Sequence, residues 1–446
     1  MRIGYIFYIT FVILFVNSCG SSKSTFSSYN SNSSSNKSTN TDYNSENRYS
    51  IERFRDLKAA KQRVYKDYFS NAQDAFYADN WSLAIKYLDI VINTKPDADA
   101  YWMRAYSKSR LNNHTGAVDD YLQATKLRVD FVYAYNNLAY EKYNYFNIIE
   151  SSIRDLEKAI YYDNTYALAY YNTAVIQNTA ERYEESVKNS SRAISLNFKD
   201  IGDAYRARGK GKNGLEQYRD AIVDLKIAIS YNSKDASAYF ELGNSYLELN
   251  ENQNAILNFS LAITYKPNFP EAYNNRAIAK QISGDYSGSI SDYNMANTLN
   301  PDKSSLDKSE IGDVYFSWGS KYFDDENYSD AIEKYKEAKK LNSSLISICD
   351  SNISISYYNI ANTILRKETP IISRMNSLGS STLDYNIYDN LKEKLHDIYR
   401  EAIPYLLLAY KFDKNRKDSI KQLSSLYKAI DDMSNYRKYK AIANEL

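Results

Sequence analysis

The chain has 446 residues, with 56 Lys and Arg against 55 Asp and Glu, 46 Tyr, 13 Gly, 6 Pro and 2 Cys. A net charge of +1 argues against the basic face that nucleic acid selects, and a 43% share of hydrophobic residues excludes a chain disordered throughout. Gly and Pro are too scarce for a protein of tight β-hairpins, so the composition favours helices.

Met1 and Arg2 precede a mainly apolar run from Ile3 to Val16, which leads into Asn17-Ser18-Cys19-Gly20. A positive start followed by an apolar run shorter than the roughly 20 residues of a bilayer span reads as an export signal. Ser21 to Ser50 is dominated by Ser and Asn without apolar periodicity, which predicts a flexible, disordered tether over 19–50. A Cys between export signal and tether resembles the lipobox of bacterial lipoproteins. The resemblance implies a signal peptide over 1–18, lipidation of Cys19, cleavage before it, and anchoring in the lipid bilayer through N-terminal acyl chains. The address it implies is the bacterial envelope, at the outer membrane, on the periplasmic face or the cell surface. An ordinary cleaved signal with an incidental Cys is the alternative. Cys349 has no disulfide partner in this scheme and reads as a buried or half-buried thiol. Ile51, Phe54, Leu57, Val64 and Tyr68 continue helical spacing, so the first helix is expected to start near Ser50, a suitable N-cap.

Between Tyr65 and Lys303 a motif recurs every 33–35 residues. In its clearest copy Tyr239, Leu242, Gly243 and Tyr246 fall at helical spacing, as do Ala255, Phe259 and Ala262, with Pro267 closing the unit. A polar stretch from Asn250 to Asn254 separates the halves, so each unit is a helical hairpin. The second-helix signature of small, large and small residues repeats from Ala84-Leu88-Val91 to Ser289-Tyr293-Ala296, and prolines close units at Pro96, Pro267 and Pro301. This register resembles the tetratricopeptide repeat (TPR). The resemblance implies an all-α fold, an α-solenoid of stacked helical hairpins, with seven repeats over 51–303. An eighth follows a short insertion, over 304–345, on Tyr315, Trp318, Gly319 and Tyr322, then Ala331, Tyr335 and Ala338.

Beyond Leu345 the pattern splits. Tyr357 to Ala361 reads as a first helix, but Ala402-Leu406-Ala409 arrives only after an insertion with Pro370 and Gly379. Residues 346–446 are therefore expected to form a divergent split repeat, with one long helix from Tyr388 to Tyr410 bent at Pro404, and a capping hairpin from Ser419. With the lipobox, the whole resembles exported bacterial TPR proteins.

Three repeats share one grammar: Arg104, Arg208 and Arg276 in the first helix, and Asp120, Asp224 and Asp292 just before the large residue of the second. The expected role is a bidentate clasp inside each hairpin; a basic ladder for an anionic ligand is the alternative. The concave groove that TPR superhelices line with first helices would here be built from Trp102, Tyr106 and Arg110, then Tyr133, Asn136, Tyr140 and Tyr143. It would continue through Tyr171 and Asn178, Arg206 and Lys210, Phe240 and Asn244, and Asn274. Such an aromatic, amide-rich wall suits a protein partner or an extended peptide. The carboxylate clamp of chaperone-binding TPR domains is not expected, because Asn137 and Asn275 lack the flanking cations.

Catalytic patterns are absent. His114 and His396 have no local nucleophile or zinc spacing, and Gly209-Lys210-Gly211-Lys212-Asn213-Gly214 lacks the strand and the Lys-Ser/Thr of a phosphate loop, its glycines reading as a looser turn. No metal, cofactor or nucleic acid is expected. The sequence thus points to a non-enzymatic envelope scaffold or adaptor that binds polypeptides. A glycan- or nutrient-binding outer-membrane lipoprotein is the first rival, and an enzyme whose site assembles only in three dimensions is the second.

Overall fold

The computed structural model describes residues 43–299, 308–379 and 382–445, with side chains from residue 53 onward. The expected signal peptide, Cys19, most of the tether and Pro301 lie outside the described residues. Among the described residues every regular element is helical, and the helices pack in consecutive pairs, as an α-solenoid requires. None of them is long and apolar enough to cross a membrane. The chain divides into two compact units, up to Tyr231 and from Asn232.

The first unit holds five hairpins. Helix α1 (Tyr43–Tyr77) pairs with α2 (Trp81–Thr94), α3 (Ala98–Arg110) with α4 (His114–Leu127), and α5 (Val132–Phe146) with α6 (Ile149–Tyr162). Then α7 (Ala167–Thr179) pairs with α8 (Tyr183–Ser195), and α9 (Ile201–Gly214) with α10 (Tyr218–Tyr231). The second unit repeats the plan with α11 (Ala236–Glu248) and α12 (Asn252–Tyr265), α13 (Pro270–Ile282) and α14 (Tyr286–Leu299), and α15 (Ser309–Asp324) and α16 (Tyr328–Leu341). Helix α17 (Ile346–Leu365) pairs with the long α19 (Thr382–Phe412) across an inserted α18 (Glu368–Asn376), and α20 (Lys417–Ala429) with α21 (Met433–Glu445) ends the chain.

The repeated signature is the core. Ala84, Leu88 and Val91 are buried, as are Ala117, Tyr121 and Ala124, and the same holds through Ala402, Leu406 and Ala409. Small residues let the paired helices approach: a methyl group on Gly243 would lie 2.6 Å from the Phe259 ring, and one on Gly209 would lie 2.7 Å from Leu225. Cys349 is fully buried, and burial pushes its thiol up to about 11.

Each turn inside a hairpin needs one left-handed residue, and the chain rarely spends a glycine on it. Asp79, Asn112, Asn147, Glu181, Glu216, Asn250, Glu326 and Asp431 have φ of 52–64°, whereas Gly284 is the glycine in this role. Asn80, Asp97, Asn113 and Asp235 then cap the following helix, each accepting from an amide three residues on at 3.0–3.3 Å.

Three expectations need correction. The first helix begins at Tyr43 rather than near Ser50, because a formed helix extends at little cost per residue once nucleated. Likewise α19 runs from Thr382 to Phe412, beyond the expected Tyr388–Tyr410, although it is one long helix with Pro404 inside it, as expected. Gly209 to Gly214 is the last part of α9 rather than a loosened turn. Its glycines admit neighbours on both sides, Leu225 of α10 against Gly209, and Val187 and Tyr183 of α8 against Gly211 and Gly214.

Candidate functional site

The Arg–Asp pairs form as clasps. Arg104 donates to both carboxylate oxygens of Asp120 at 2.8 and 2.7 Å, Arg208 to Asp224 at 2.8 and 2.7 Å, and Arg276 to Asp292 at 2.8 and 2.7 Å. Each carboxylate is buried and takes a second cation, Lys108, Lys212 or Lys280, at 2.7–2.8 Å. The bonds to Asp224 raise the Arg208 guanidinium above its usual range and keep it charged. The remaining guanidinium nitrogen reaches back to the second helix of the preceding hairpin: Arg104 to Asp89 at 2.6 Å, Arg208 to the Ser191 hydroxyl at 3.3 Å, Arg276 to the Ser260 hydroxyl at 3.0 Å. Tyr101, Tyr205 and Tyr273 lie under the three guanidinium groups at 5.1–5.4 Å. With every cation so engaged, these side chains are joints between hairpins rather than a ladder for an anion.

The lysine has its own rule. In the α5–α6 hairpin Lys142 binds Asp155 at 2.5 Å without any Arg, and in α7–α8 a neutral pair takes its place, Asn189 donating to Gln177 at 2.8 Å. The same sequence spacing carries Lys108, Lys212 and Lys280 four residues after each Arg; their bond to the shared Asp, and the amide pair that replaces it in α7–α8, emerge only in the structure.

The expected groove residues separate into two sets. In the first unit Arg110 and Tyr133 are exposed, and Trp102, Tyr106, Tyr140, Tyr143 and Lys210 are partly exposed. Asn136, Tyr171, Asn178 and Arg206 are instead buried. Tyr171 stacks on Phe198 with ring centroids 4.9 Å apart, Asn178 donates to the Ala207 carbonyl at 2.8 Å, and Arg206 pairs with Asp203 at 2.6 Å. In the second unit Phe240 is also buried, wedged against Phe259 and Phe269, while Asn244 and Asn274 are partly exposed. The buried five were expected to line the groove, but they pack the seam instead. The next first helix meets Asn136 and Asn178, whereas Phe198 and Phe269, in the links between hairpins, pack on Tyr171 and Phe240.

That seam is rich in amides. Asn172 of α7 donates to Asn136 of α5 at 2.8 Å, Asn136 to Asn137 at 3.3 Å, and Asn137 to the Tyr121 hydroxyl of α4 at 3.4 Å. Asn275 donates to Asn244 at 2.7 Å in the second unit. Tyr143 and Thr179 exchange a hydroxyl hydrogen bond at 2.7 Å across α5 and α7. Trp102 Nε1, Asn172 Oδ1 and Asn178 Oδ1 have no hydrogen-bond partner among the described residues. The seam therefore holds polar capacity that its own contacts leave unused.

His114, the first residue of α4, has a distant partner that local sequence could not reveal. Its Nδ1 lies 2.9 Å from Oε2 of the buried Glu141, whose Oε1 accepts from Ser109 at 2.5 Å. Burial pushes the Glu141 carboxyl up, against the pull of those two donors. Serine and histidine both bond the carboxylate and not each other, so the order needed for a nucleophilic serine is missing. His396 is buried on α19, 3.8 Å from Glu393. Among the described residues no group of three or more His, Cys, Asp or Glu side chains is placed to hold a metal ion.

Tetratricopeptide-repeat family models match residues 98–128 and 201–273. No curated protein matches the chain in sequence. Among solved structures, a tetratricopeptide repeat protein from Parabacteroides merdae is 14% identical, with a TM-score of 0.45 over 56% of this chain and 98% of that one. PilF of Pseudomonas aeruginosa is 15% identical, with a TM-score of 0.41 over 47% of this chain and 94% of that one. YrrB, described as a TPR protein with an unusual peptide-binding site, is 21% identical, with a TM-score of 0.33 over 42% of this chain and 94% of its own.

Proposed function

We propose that this tetratricopeptide-repeat protein is a non-enzymatic scaffold that holds an extended polypeptide along the first-helix face of its first unit, at the surface of a bacterial envelope membrane to which Cys19 tethers it. The tetratricopeptide fold supports the interaction role in general terms, although a fold by itself does not choose a ligand. The observation that carries the peptide reading is the composition of that face. Trp102, Tyr106, Tyr133, Tyr140 and Tyr143 offer rings, and the seam beneath them carries the amides Asn136, Asn137, Asn172 and Asn178. Such rings bury the side chains of an extended peptide, and the buried amides hold together the seam on which the rings stand. The apolar run before Cys19 and the Ser/Asn-rich segment after it support the tethered address.

A photo-crosslinking amino acid in place of Tyr140, activated in intact cells and read by mass spectrometry, tests the reading. The expected products are polypeptide adducts, absent when the crosslinker replaces Leu257 on exposed α12. Saturable oligosaccharide binding that Tyr140→Ala removes would overturn it in favour of glycan capture. Cys19→Ala tests the tether separately, and is expected to abolish incorporation of labelled fatty acid into the protein.

A further inference from the structure

Helix α1 is too long for its place in the fold. Only its C-terminal part packs, with Tyr65, Tyr68 and Phe69 against the cluster of Ala72, Phe76, Leu88 and Met103. From Arg53 to Val64 every residue is exposed, a helical arm of about 18 Å at 1.5 Å per residue with no helix beside it among the described residues. Over 53–66 the arm carries Arg53, Arg55, Lys58, Lys61, Arg63 and Lys66 against Asp56. None of the six cations forms an ion pair among the described residues.

The arm has two sides. At 100° per residue, Phe54, Leu57 and Val64 fall within an arc of about 80°, which also contains Tyr68 and continues the packed face of the helix outward. Phe54 is 74% exposed and Leu57 54%. Lys61 sits inside the same arc, and Arg53 and Lys58 border it on either side. An apolar stripe so bordered is poorly suited to a helix partner, which would have to bury the charges. It suits the boundary between acyl chains and anionic headgroups, where Lys and Arg stems lie along apolar surface and their charges reach phosphate.

We propose that residues 53–66 of α1 lie on an anionic phospholipid surface, with Phe54, Leu57 and Val64 inserted and Arg53, Lys58 and Lys61 on the headgroups. The contact is independent of any acyl chain on Cys19, and it would set the first hairpin close to the bilayer. It shares with the proposed function only the membrane location.

The test is co-sedimentation of full-length protein carrying Cys19→Ala, so that no acyl chain contributes, with vesicles of phosphatidylcholine alone or with about 30% phosphatidylglycerol. The apolar run near the N-terminus binds both vesicles alike, so the readout is the ratio of the two affinities. That ratio is expected to exceed tenfold at about 0.1 M salt and to shrink toward one at about 0.5 M salt. Arg53→Glu/Lys58→Glu/Lys61→Glu is expected to bring the ratio near one. Arg55→Glu/Arg63→Glu, away from the stripe, should lower it less. A ratio near one in the parent protein overturns the proposal, as does a ratio unchanged in the triple variant. Self-association through the arm without lipid preference also overturns it. Circular dichroism of the variants establishes that the hairpins remain folded. Failure here leaves the polypeptide-binding reading standing, since the Tyr140 crosslinks are read separately.

Discussion

Replacing Asp224 with Ala should loosen α9 and α10 more than the same change at Asp120 loosens α3 and α4. Asp224 is 2% exposed and accepts two bonds from Arg208 and one from Lys212, all within 2.8 Å. Without it, Arg208 retains only the neutral Ser191 hydroxyl at 3.3 Å. A bond to a charged group contributes about 1.5–3 kcal/mol, and breaking a buried pair costs about 3–5 kcal/mol. The Arg208 side chain is 21% exposed and can recover some water, which lowers the expected cost to about 2–3 kcal/mol. Arg104 keeps Asp89 at 2.6 Å when Asp120 is removed, so that variant should cost about 1 kcal/mol less. Stability in a repeat array is local, so the measurement is native-state hydrogen exchange of the amides in each hairpin. A third variant, Arg208→Met/Asp224→Leu, removes the most buried pair of charges, leaves Lys212 to turn to water, and should restore part of the loss. Equal costs at the two aspartates, or a double variant as unstable as Asp224→Ala, would refute the picture of a shared charged joint.

Other outcomes follow from single contacts. Gly243→Ala places a methyl 2.6 Å from the Phe259 ring and should destabilise the α11–α12 hairpin by about 1–3 kcal/mol, measured by urea denaturation. Glu216 has φ of 60°, so Glu216→Gly should raise the stability of the first unit by up to about 1 kcal/mol, whereas Glu216→Val should lower it. Glu141 binds its proton more tightly when folded than unfolded, so its contribution is fully present below the ordinary Glu range and is lost as pH rises through the raised value. Melting temperatures of wild type should therefore fall relative to Glu141→Gln as pH rises from about 4; parallel curves would contradict the burial of a titrating carboxyl.

The sequence carries the hairpins plainly because close packing restricts a few positions to a few side chains. Ala255 and Ala262 must be small and Phe259 must fill the gap between them, and most copies follow suit, α8 with Ser190 being an exception. The same holds for Arg208 and Asp224, whose charges fix their partner once the hairpin is drawn. The face is harder to read, since exposure there depends on the next hairpin. Tyr171 and Tyr140 share a helical side in the repeat pattern, yet Tyr171 is buried against Phe198 whereas Tyr140, edge-on to Tyr145, stays partly exposed. Asn172 and Asn136 meet across 36 residues, and Ser109, His114 and Glu141 across 27 and 32, separations at which neither periodicity nor local motif gives a signal. The early start of α1 was hidden for another reason: its Ser/Asn-rich beginning has weak helix propensity, and the helix extends there from a nucleus further along.

The backward reach of Arg104, Arg208 and Arg276 also says what can be inherited as a piece. A hairpin copied or transplanted alone arrives with a guanidinium nitrogen aimed at a neighbour that stayed behind. The piece that carries a whole joint is three helices long, the second helix of one hairpin and both helices of the next. Chimaeras spliced in the loop between α9 and α10, which parts Arg208 and Lys212 from Asp224, should fare worse than those cut between α8 and α9, where the Ser191 bond is at stake.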